Sequence, residues 1–328
     1  MTALDKNTVL HNRYQIVRLV GKGEQSTVYQ AFDQELRTPV ALKQLYCNDP
    51  QFVAAFAREA PVLTNVKHPS LPRLFDHFEE NGQLYLVMEF IPGIDLASQL
   101  VYRGQPFAIG DVIKWGSQLL DVLEYLHSHN PPVIHGNIKP QNLKIAGNGK
   151  LILLDVGLSS LLAASNDESR ATNPSRYAAP EQLQGEAPDA RNDLYAVGAT
   201  LYHLATGREP IDALSRATAH CNKQPDPLPS SRTLNSQIPA HLDELISQAM
   251  AISPEERPAS AAAMRQALMS SAASVSRPNI SPRPASLKQA ISIEPSKAEM
   301  PPVNIFAFLL IFAVVAFVIG VMLAVVFS

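Results

Sequence analysis

Apolar and polar residues alternate along four stretches before residue 91, in the manner of half-buried β-strands. These stretches are residues 14–21, 27–33, 39–46 and 83–90. A further stretch, residues 52–66, repeats its apolar residues at helical spacing. The first part of the chain is therefore predicted to form a β-sheet with one helix beside it.

After Ile94 the pattern becomes mainly helical. Residues 190–207 are apolar on most faces, which is typical of a helix buried inside a lobe. An earlier segment predicts an amphipathic helix, because its apolar residues recur three and four positions apart, at Val112, Trp115, Leu119, Val122, Leu123 and Leu126. Strands followed by helices predict an α+β fold with a sheet-rich lobe and a helical lobe. The sequence contains no internal repeat.

The C-terminal residues 303–327 carry no charge, and residues 305–327 are apolar apart from Gly320. As a helix, this run would measure ~35 Å, enough to cross a hydrocarbon core of ~30 Å with some tilt. A buried core helix is the alternative, but such helices rarely stay apolar on every side. We therefore predict a transmembrane helix over residues 303–327.

The orientation of this helix is predicted from the flanking residues. The N-terminus lacks the apolar stretch of a signal peptide, so the polar part is expected to stay in the cytoplasm. Cations precede the span and none follows it, in agreement with that orientation: Arg277, Arg283, Lys288 and Lys297. The chain is predicted to be a single-pass membrane protein with a C-terminal tail anchor.

Three small residues, Ala316, Gly320 and Ala324, share one face of the predicted membrane helix. Small residues let two helices approach closely, which would allow a homodimer. Small residues are also common in membrane spans for no such reason, and the sequence leaves both interpretations open.

Residues 271–302 join the globular part to the membrane helix and are rich in Ser, Ala and Pro. Such a segment buries too little apolar surface to offset the entropy of ordering it, so we predict a flexible, disordered linker. Its serines are either phosphate acceptors or ordinary linker composition.

Charge and cysteine content exclude several functions for this chain of 328 residues. Lys and Arg total 27 and Asp and Glu total 30, for a net charge of −3, which argues against a nucleic acid partner. Cys47 and Cys221 are the only cysteines. They exclude a disulfide framework or a cysteine-rich metal site and favour a reducing compartment.

Two features of the predicted sheet suggest phosphate chemistry. Gly21 and Gly23 lie between two predicted strands, where backbone N–H groups without nearby side chains can approach phosphate oxygens. A glycine pair at a hairpin is, however, more often only a turn. Lys43 interrupts the next apolar strand and either points to solvent or is partly buried. In the second case Glu59, on the following helix, would keep its ammonium charged.

A second group of polar residues follows the long amphipathic helix. Residues 133–142 include His135, Lys139 and Asn142. Asp155 comes after four apolar residues and before a turn-forming Gly157, which would expose its carboxylate at a strand end. The amide oxygen of Asn142 and the carboxylate of Asp155 are ligands that suit Mg²⁺.

In this order the motifs resemble those of the eukaryotic-type protein kinases found in bacteria. The matching pieces are the glycine-rich loop, the strand lysine, the helix glutamate, the loop at 135–142, Asp-Val-Gly at 155–157 and Ala-Pro-Glu at 179–181. The resemblance covers about residues 11–270. It implies a bilobal kinase fold with an N-lobe of about residues 11–91 and a C-lobe of about residues 92–270.

The same resemblance implies a site for ATP and Mg²⁺. The residues that would bind ATP are Gly21, Gly23, Val28, Ala41, Lys43, Glu59, Glu89 and Ile91, the last two in the adenine-binding hinge. Asn142 and Asp155 would hold Mg²⁺, and Lys139 would neutralise the transferring phosphate. Two structural roles are also implied, in which Asp193 holds the backbone of the catalytic loop and Arg257 pairs with Glu181.

The chain departs from the family pattern in its catalytic loop. The family reads His-Arg-Asp-x-Lys-x-x-Asn, whereas this chain has Gly136 and Asn137 after the histidine. Asn137 replaces the Asp that accepts the proton of the substrate hydroxyl, and an amide is not basic at neutral pH. Gly136 removes an Arg that would pair with a phosphorylated activation segment. Pro174 replaces a Thr that helps to position the loop and the substrate.

Two functions are consistent with these departures. The first is a pseudokinase or very weak kinase that binds ATP and acts as a switch or scaffold for a cytosolic protein partner. The second is an active Ser/Thr kinase that transfers the γ-phosphate to protein substrates in spite of Asn137. Nucleotide binding is expected in both, because Lys43, Glu59, Asn142 and Asp155 are retained.

Overall fold

The computed structural model describes residues 4–23, 26–46, 49–156, 176–187 and 189–275. Outside these residues lie Gly157, Pro174, the predicted linker beyond residue 275, and the predicted membrane helix with Ala316, Gly320 and Ala324. The chain divides into two compact units, Met1–Pro278 and Asn279–Ser328, and the described residues all belong to the first. Within the described ranges, no helix has the length and apolar character needed to cross a membrane.

One antiparallel sheet of six strands forms the N-terminal lobe, with the spatial order β1-β2-β3-β4-β6-β5. The strands are β1 Val9–Leu10, β2 Tyr14–Lys22, β3 Ser26–Asp33, β4 Thr38–Leu45, β5 Leu74–Glu80 and β6 Gln83–Glu89. The alternating pattern predicted β2, β3, β4 and β6. It missed β5, whose sequence is largely polar and whose Asp76 accepts a hydrogen bond from the hydroxyl of the buried Tyr14.

The two faces of this sheet pack against different neighbours. One face buries a cluster that includes Tyr14, Tyr29 and Leu42. The opposite face packs against helix α1, Pro50–Leu63, whose Phe52 and Phe56 contact a set of sheet leucines, Leu45, Leu84 and Leu86. Because successive residues of a strand point to opposite faces, the alternation of β4 and β6 supplies both clusters at once.

Helices dominate the C-terminal lobe. They are α2 Leu96–Arg103, α3 Ile109–His127, α4 Pro180–Leu183, α5 Ala190–Thr206, α6 Ala213–Cys221, α7 Ser231–Leu234, α8 Ala240–Ala249 and α9 Ala261–Val275. A short hairpin of β7 Leu143–Ile145 and β8 Leu151–Leu153 lies between α3 and α4. Helix α9 continues to Val275, so the first residues of the predicted linker are helical.

Helix α5 is the central element of this lobe, as its pattern predicts, and its residues from Asn192 to Thr206 are all buried. A capping box begins it: the Asp189 carboxylate accepts from the Arg191 N–H, and the Asn192 side chain accepts from the Asp189 N–H. Gly207 ends it in the left-handed conformation, with φ of 71°. Local sequence thus fixes both ends of the most buried helix.

A buried ion pair joins two distant parts of the C-terminal lobe. The Arg257 guanidinium donates to both carboxylate oxygens of Glu181, at 2.6 Å and 2.9 Å. The Arg257 side chain is fully buried. Two parallel hydrogen bonds fix the orientation of the two side chains and also compensate their charges. The pairing predicted from the family resemblance is confirmed.

Candidate functional site

One face of the sheet carries three of the predicted ATP-binding residues. In β4, Ala41 and Lys43 are two positions apart and therefore point to the same face. Val28 in β3 is the direct partner of Lys43. On the other side of β4, Leu86 is the partner of Lys43 and packs against α1. These three residues therefore lie on the α1 side of the sheet.

The glycine-rich turn between β2 and β3 is exposed. The Gly23 N–H donates to the Ser26 carbonyl at 2.8 Å, which begins the reversal of the chain; the next two residues lie outside the described ranges. A Cβ placed on Gly21 would meet no atom within 4 Å, and one on Gly23 would meet only Ser26 O, at 3.6 Å. Packing within the described chain therefore does not require glycine here, which leaves space above the sheet for a ligand.

Lys43 forms an ion pair with Asp155, with 2.7 Å between Nζ and Oδ1. The Lys43 side chain is only 7% exposed, so its charge needs compensation inside the protein. The sequence predicted Glu59 as the partner of this ammonium, and that prediction was wrong. The structure instead brings together the lysine of a central strand and the carboxylate that follows β8.

The position of Glu59 explains the difference. Its carboxylate lies 3.4 Å from the guanidinium of Arg58, its neighbour on α1, and its side chain is 29% exposed. The direction in which α1 presents Glu59 depends on how Phe52 and Phe56 seat the helix on the sheet. Pro61 lies in the same part of α1 and cannot donate a backbone hydrogen bond there. Spacing along the sequence specifies none of this packing.

Asp155 is held in an unusual backbone conformation, with φ of 66°. A residue with a side chain rarely adopts positive φ, and such strain is characteristic of functional positions. Burial acts to raise the pKa of Asp155, but the Lys43 ammonium, together with His135 and Lys139, outweighs burial and holds the pKa below its ordinary value. The carboxylate is therefore ionised, and its direct partner is the Lys43 ammonium.

The backbone of the catalytic loop is held by a buried carboxylate. Asp193 on α5 accepts hydrogen bonds from the backbone N–H groups of His135, at 2.9 Å, and Gly136, at 2.7 Å. This confirms the role predicted for Asp193. His127, at the end of α3, contacts the same carboxylate through Nε2 at 2.9 Å. Sequence reasoning missed His127, because nothing in its local pattern indicates a partner on α5.

His135 connects the loop to the segment that carries Asp155. Its Nε2 lies 2.8 Å from the Leu154 carbonyl, and the Asn137 N–H donates to its Nδ1 at 3.3 Å. These partners match the neutral tautomer that carries its proton on Nε2. Burial lowers the pKa of His135 in spite of the nearby Asp193. His135 is therefore a buried histidine whose two ring nitrogens both have hydrogen-bond partners.

Asn142 is positioned beside both the loop and Asp155. Its side-chain amide donates to the Asn137 carbonyl at 2.7 Å, and its backbone carbonyl accepts from the Leu154 N–H at 2.8 Å. Because the amide nitrogen is the group bound to Asn137, the amide oxygen is the atom presented to a ligand. Asn142 and Asp155 therefore combine a neutral and an anionic oxygen donor, a set that suits Mg²⁺.

Gly136 has φ of 64°, and its carbonyl accepts a hydrogen bond of 2.6 Å from the side chain of Gln182 on α4. Its left-handed conformation favours glycine over a residue with a side chain. The contact also ties the residue before Asn137 to the Ala-Pro-Glu region. Sequence reasoning missed Gln182, since only the tertiary structure brings α4 to this loop.

The predicted hinge follows β6. The Glu89 N–H donates to the Arg73 carbonyl at 2.8 Å. The Ile91 carbonyl accepts a hydrogen bond of 3.0 Å from the ammonium of Lys144 in β7. Burial lowers the pKa of Lys144, and Asp95 opposes that effect. Lys144 was not among the predicted site residues, although a lysine inside the short apolar strand Leu143–Ile145 was a visible signal.

Comparison with known proteins places this geometry in a family. The sequence pattern described as the protein kinase domain matches residues 14–269. The chain belongs to the protein kinase family. Its sheet-rich N-lobe and helical C-lobe form the bilobal kinase fold, as the resemblance predicted.

Bacterial Ser/Thr kinases are among the relatives. The chain is 33% identical over 272 residues to Ser/Thr-protein kinase PknB of Mycolicibacterium smegmatis, which covers 79% of this chain and 43% of that protein. It is 31% identical over 256 residues to Ser/Thr-protein kinase PrkC of Bacillus subtilis, covering 76% of this chain and 39% of the relative. These matches establish the Ser/Thr kinase family, and they span about two fifths of the relatives' length.

A solved structure gives the same result for the fold. The PknI kinase domain of Mycobacterium tuberculosis matches with a TM-score of 0.67 and 25% identity. The match covers 83% of this kinase-family chain and all of the PknI kinase domain.

Proposed function

We propose that this kinase-family chain is a membrane-anchored signalling protein that binds Mg·ATP and transfers phosphate weakly or not at all. The proposal rests on a contrast between the charged residues and the residue at position 137 within one site. The charged residues around Asp155 are in place, whereas an amide, Asn137, stands where the family has its catalytic carboxylate.

Nucleotide binding is supported by the residues that would hold it. Lys43 presents a buried ammonium on the sheet face below the glycine turn, where it would contact phosphate oxygens. Asn142 and Asp155 would hold Mg²⁺, which would supply charge neutralisation for the phosphates when bound. The sheet-side residues Val28 and Ala41 and the hinge residues Glu89 and Ile91 would enclose the base.

Weak transfer follows from the chemistry of position 137. Asn137 can orient a substrate hydroxyl by hydrogen bonding, but its amide cannot accept the proton. A positioned base is worth about 10²–10⁴ in rate and kinases turn over at roughly 1–100 s⁻¹, which gives a residual rate of about 10⁻⁴ to 1 s⁻¹.

The alternative is an active Ser/Thr kinase that transfers the γ-phosphate to protein substrates. It is favoured by the retained basic residues Lys43 and Lys139, whose charges both act on Asp155. Phosphoryl transfer passes through a loose transition state, in which positioning and charge neutralisation contribute most of the catalysis.

Phosphotransfer by the full chain in detergent decides between these functions. Labelled ATP, Mg²⁺ and a generic protein substrate would be used with the wild type and with Asn137→Asp and Lys43→Met variants. We expect Asn137→Asp to raise the rate by about 10²–10⁴-fold, and Lys43→Met to abolish transfer. Equal rates for the wild type and Asn137→Asp, with no transfer by Lys43→Met, would establish the active kinase instead.

A thermal-shift titration tests nucleotide binding separately from transfer. A ligand that binds only the folded protein raises its melting temperature, so Mg·ATP should stabilise both the wild type and Asn137→Asp. Lys43→Met should lose most of this shift. If Mg·ATP does not stabilise the wild type, the binding part of the proposal is wrong.

The membrane anchor and the partner are part of the same proposal. The uncharged segment 303–327 would hold the kinase domain at the cytoplasmic face of a membrane, within reach of a cytosolic protein partner or substrate. Close packing through Ala316, Gly320 and Ala324 would make the anchor a homodimer contact.

A further inference from the structure

Lys144 links the strand after the catalytic loop to the hinge. It lies in β7, two residues after Asn142, and its partner across the hairpin is Ile152. Its neighbour Leu143 is buried in the core of the C-lobe. Lys144 points to the other side of this strand, where its ammonium donates to the Ile91 carbonyl at 3.0 Å. The lysine thus occupies a backbone acceptor in the segment that would bind the base.

The surroundings hold Lys144 in that place. Its backbone is bridged to that of Asp95, the residue that caps α2. The Asp95 carboxylate is already used at the cap, where it accepts from the N–H and the hydroxyl of Ser98, both at 2.8 Å. Arg18, whose guanidinium lies 6.0 Å from the ring of the hinge residue Phe90, places a second cation nearby. The Ile91 carbonyl is thus the neutral acceptor to which the Lys144 ammonium turns.

The geometry points to Lys144 as a residue that determines which nucleobase this site accepts. This inference rests on the proposed nucleotide binding. The base-pairing edge of adenine presents one acceptor and one amino group, whereas that of guanine presents one acceptor, an N–H and an additional 2-amino group. A base that offers more donors needs more hinge acceptors, and the Ile91 carbonyl already accepts a hydrogen bond from a cation. The ammonium would also repel a donor brought to the same oxygen.

The expected preference is therefore for purines that lack a 2-amino group. A buried donor left without an acceptor, or a charged hydrogen bond that must be broken to accommodate it, reduces affinity by about tenfold or more. Lys144 would disfavour guanine nucleotides and 2-amino-substituted adenine nucleotides, because its ammonium repels the amino group that they bring to the Ile91 carbonyl.

Dissociation constants of ATP, 2-amino-ATP and GTP for the full chain in detergent test this role. ATP and 2-amino-ATP differ by one amino group, so their comparison isolates the contact. In the wild type we expect ATP to bind at least tenfold more tightly than 2-amino-ATP or GTP. Two ratios are compared: the dissociation constant of 2-amino-ATP over that of ATP, and the dissociation constant of GTP over that of ATP. In Lys144→Met both ratios should fall at least fivefold, mainly through tighter binding of the 2-amino nucleotides. Lys144→Arg, which keeps a donor for the Ile91 carbonyl, should retain the wild-type ratios.

Lys150→Met is the matched control, because it removes the same charge after β7 without touching the hinge. Its ratios of dissociation constants should equal those of the wild type. The inference is wrong if the wild type binds ATP and 2-amino-ATP equally, a result that needs no variant. It is also wrong if Lys144→Met keeps the wild-type ratios within twofold; in either case ATP binding itself stands. If the wild type binds none of the three nucleotides, the proposed function fails and this assignment fails with it.

Discussion

Asp155 shows how several weak constraints act on one side chain. Its backbone is in the left-handed region, its carboxylate faces the Lys43 ammonium at 2.7 Å, and the preceding residue is tied to Asn142. Each constraint alone leaves the carboxylate several orientations. Together they hold an ionised carboxylate next to the residue that is tied to Asn142, and carboxylate and amide oxygens are the donor types that the proposed Mg²⁺ site needs.

His203 on α5 provides a residue-scale test by pH. Its Nδ1 lies 2.7 Å from the Tyr177 hydroxyl, and burial lowers its pKa from the ordinary 6.5. Below that value the unfolded chain binds a proton that the folded chain does not. The contribution of His203 to stability is therefore fully present above about pH 6.5 and is lost as the pH falls toward the lower folded-state pKa.

The measurement is the unfolding free energy between pH 5 and 7 for the wild type and for His203→Gln. The unfolding free energy of the wild type should fall more steeply toward acid pH than that of His203→Gln. The difference in slope should reach up to about 1.4 kcal/mol per pH unit, the value for one proton. Parallel curves would mean that His203 titrates alike in the folded and unfolded chain.

At the scale of elements, helix α5 depends on close approach by its neighbours. Gly198 faces the end of α8, and a Cβ placed there would come within 2.8 Å of the Ala249 Cβ and 2.9 Å of the Met250 Cγ. A glycine within a helix normally lowers helix stability. Here the missing side chain lets α8 pack directly on the central helix.

Gly198→Ala should therefore be destabilising, by about 1–3 kcal/mol, because the added methyl group overpacks the contact between α5 and α8. Gly110 is the matched control: it also lies in a helix, α3, but a Cβ there would meet nothing within 4 Å. Gly110→Ala should stabilise the chain by about 0.5–1 kcal/mol through helix propensity alone. Both changes are measured as unfolding free energies by denaturant titration, and the same sign for both would contradict this account of Gly198.

On the scale of the whole molecule, contacts between distant segments make the C-lobe one body. The Glu181–Arg257 pair and the Asp193 contacts to the catalytic loop each join residues more than fifty positions apart. Removing one partner of a buried pair leaves an uncompensated charge. The Asp193 contacts thus tie the catalytic loop to the central helix of the C-lobe.

Cell fractionation tests the proposed anchor at this scale. The full chain should remain in the membrane pellet after an alkaline wash, because ~20 or more apolar residues hold a helix in the bilayer. A chain ending at residue 275 should move to the soluble fraction. A deletion of residues 276–302 that keeps 303–327 is the control and should stay in the pellet. If the full chain is washed off the membrane, the segment is not an anchor.

Much of the fold and most of the candidate site residues follow from patterns along the chain. Period-two alternation located four of the strands in the sheet, and residues 190–207 were correctly predicted as a buried helix. The order of motifs predicted the kinase family, and the amide at position 137 can be read directly from the sequence. These properties are local or depend only on order along the chain, so no knowledge of packing is needed.

Packing in three dimensions, by contrast, sets which side chains meet. It paired Lys43 with Asp155 rather than with Glu59, because the seating of α1 on the sheet sets the direction of Glu59. It also brought Gln182 to Gly136 and Lys144 to Ile91, across 46 and 53 positions of sequence. Hydrogen bonds and ion pairs act over about 3–4 Å, whereas the sequence specifies spacing only along the chain. The partners at that range are chosen by how separate elements pack.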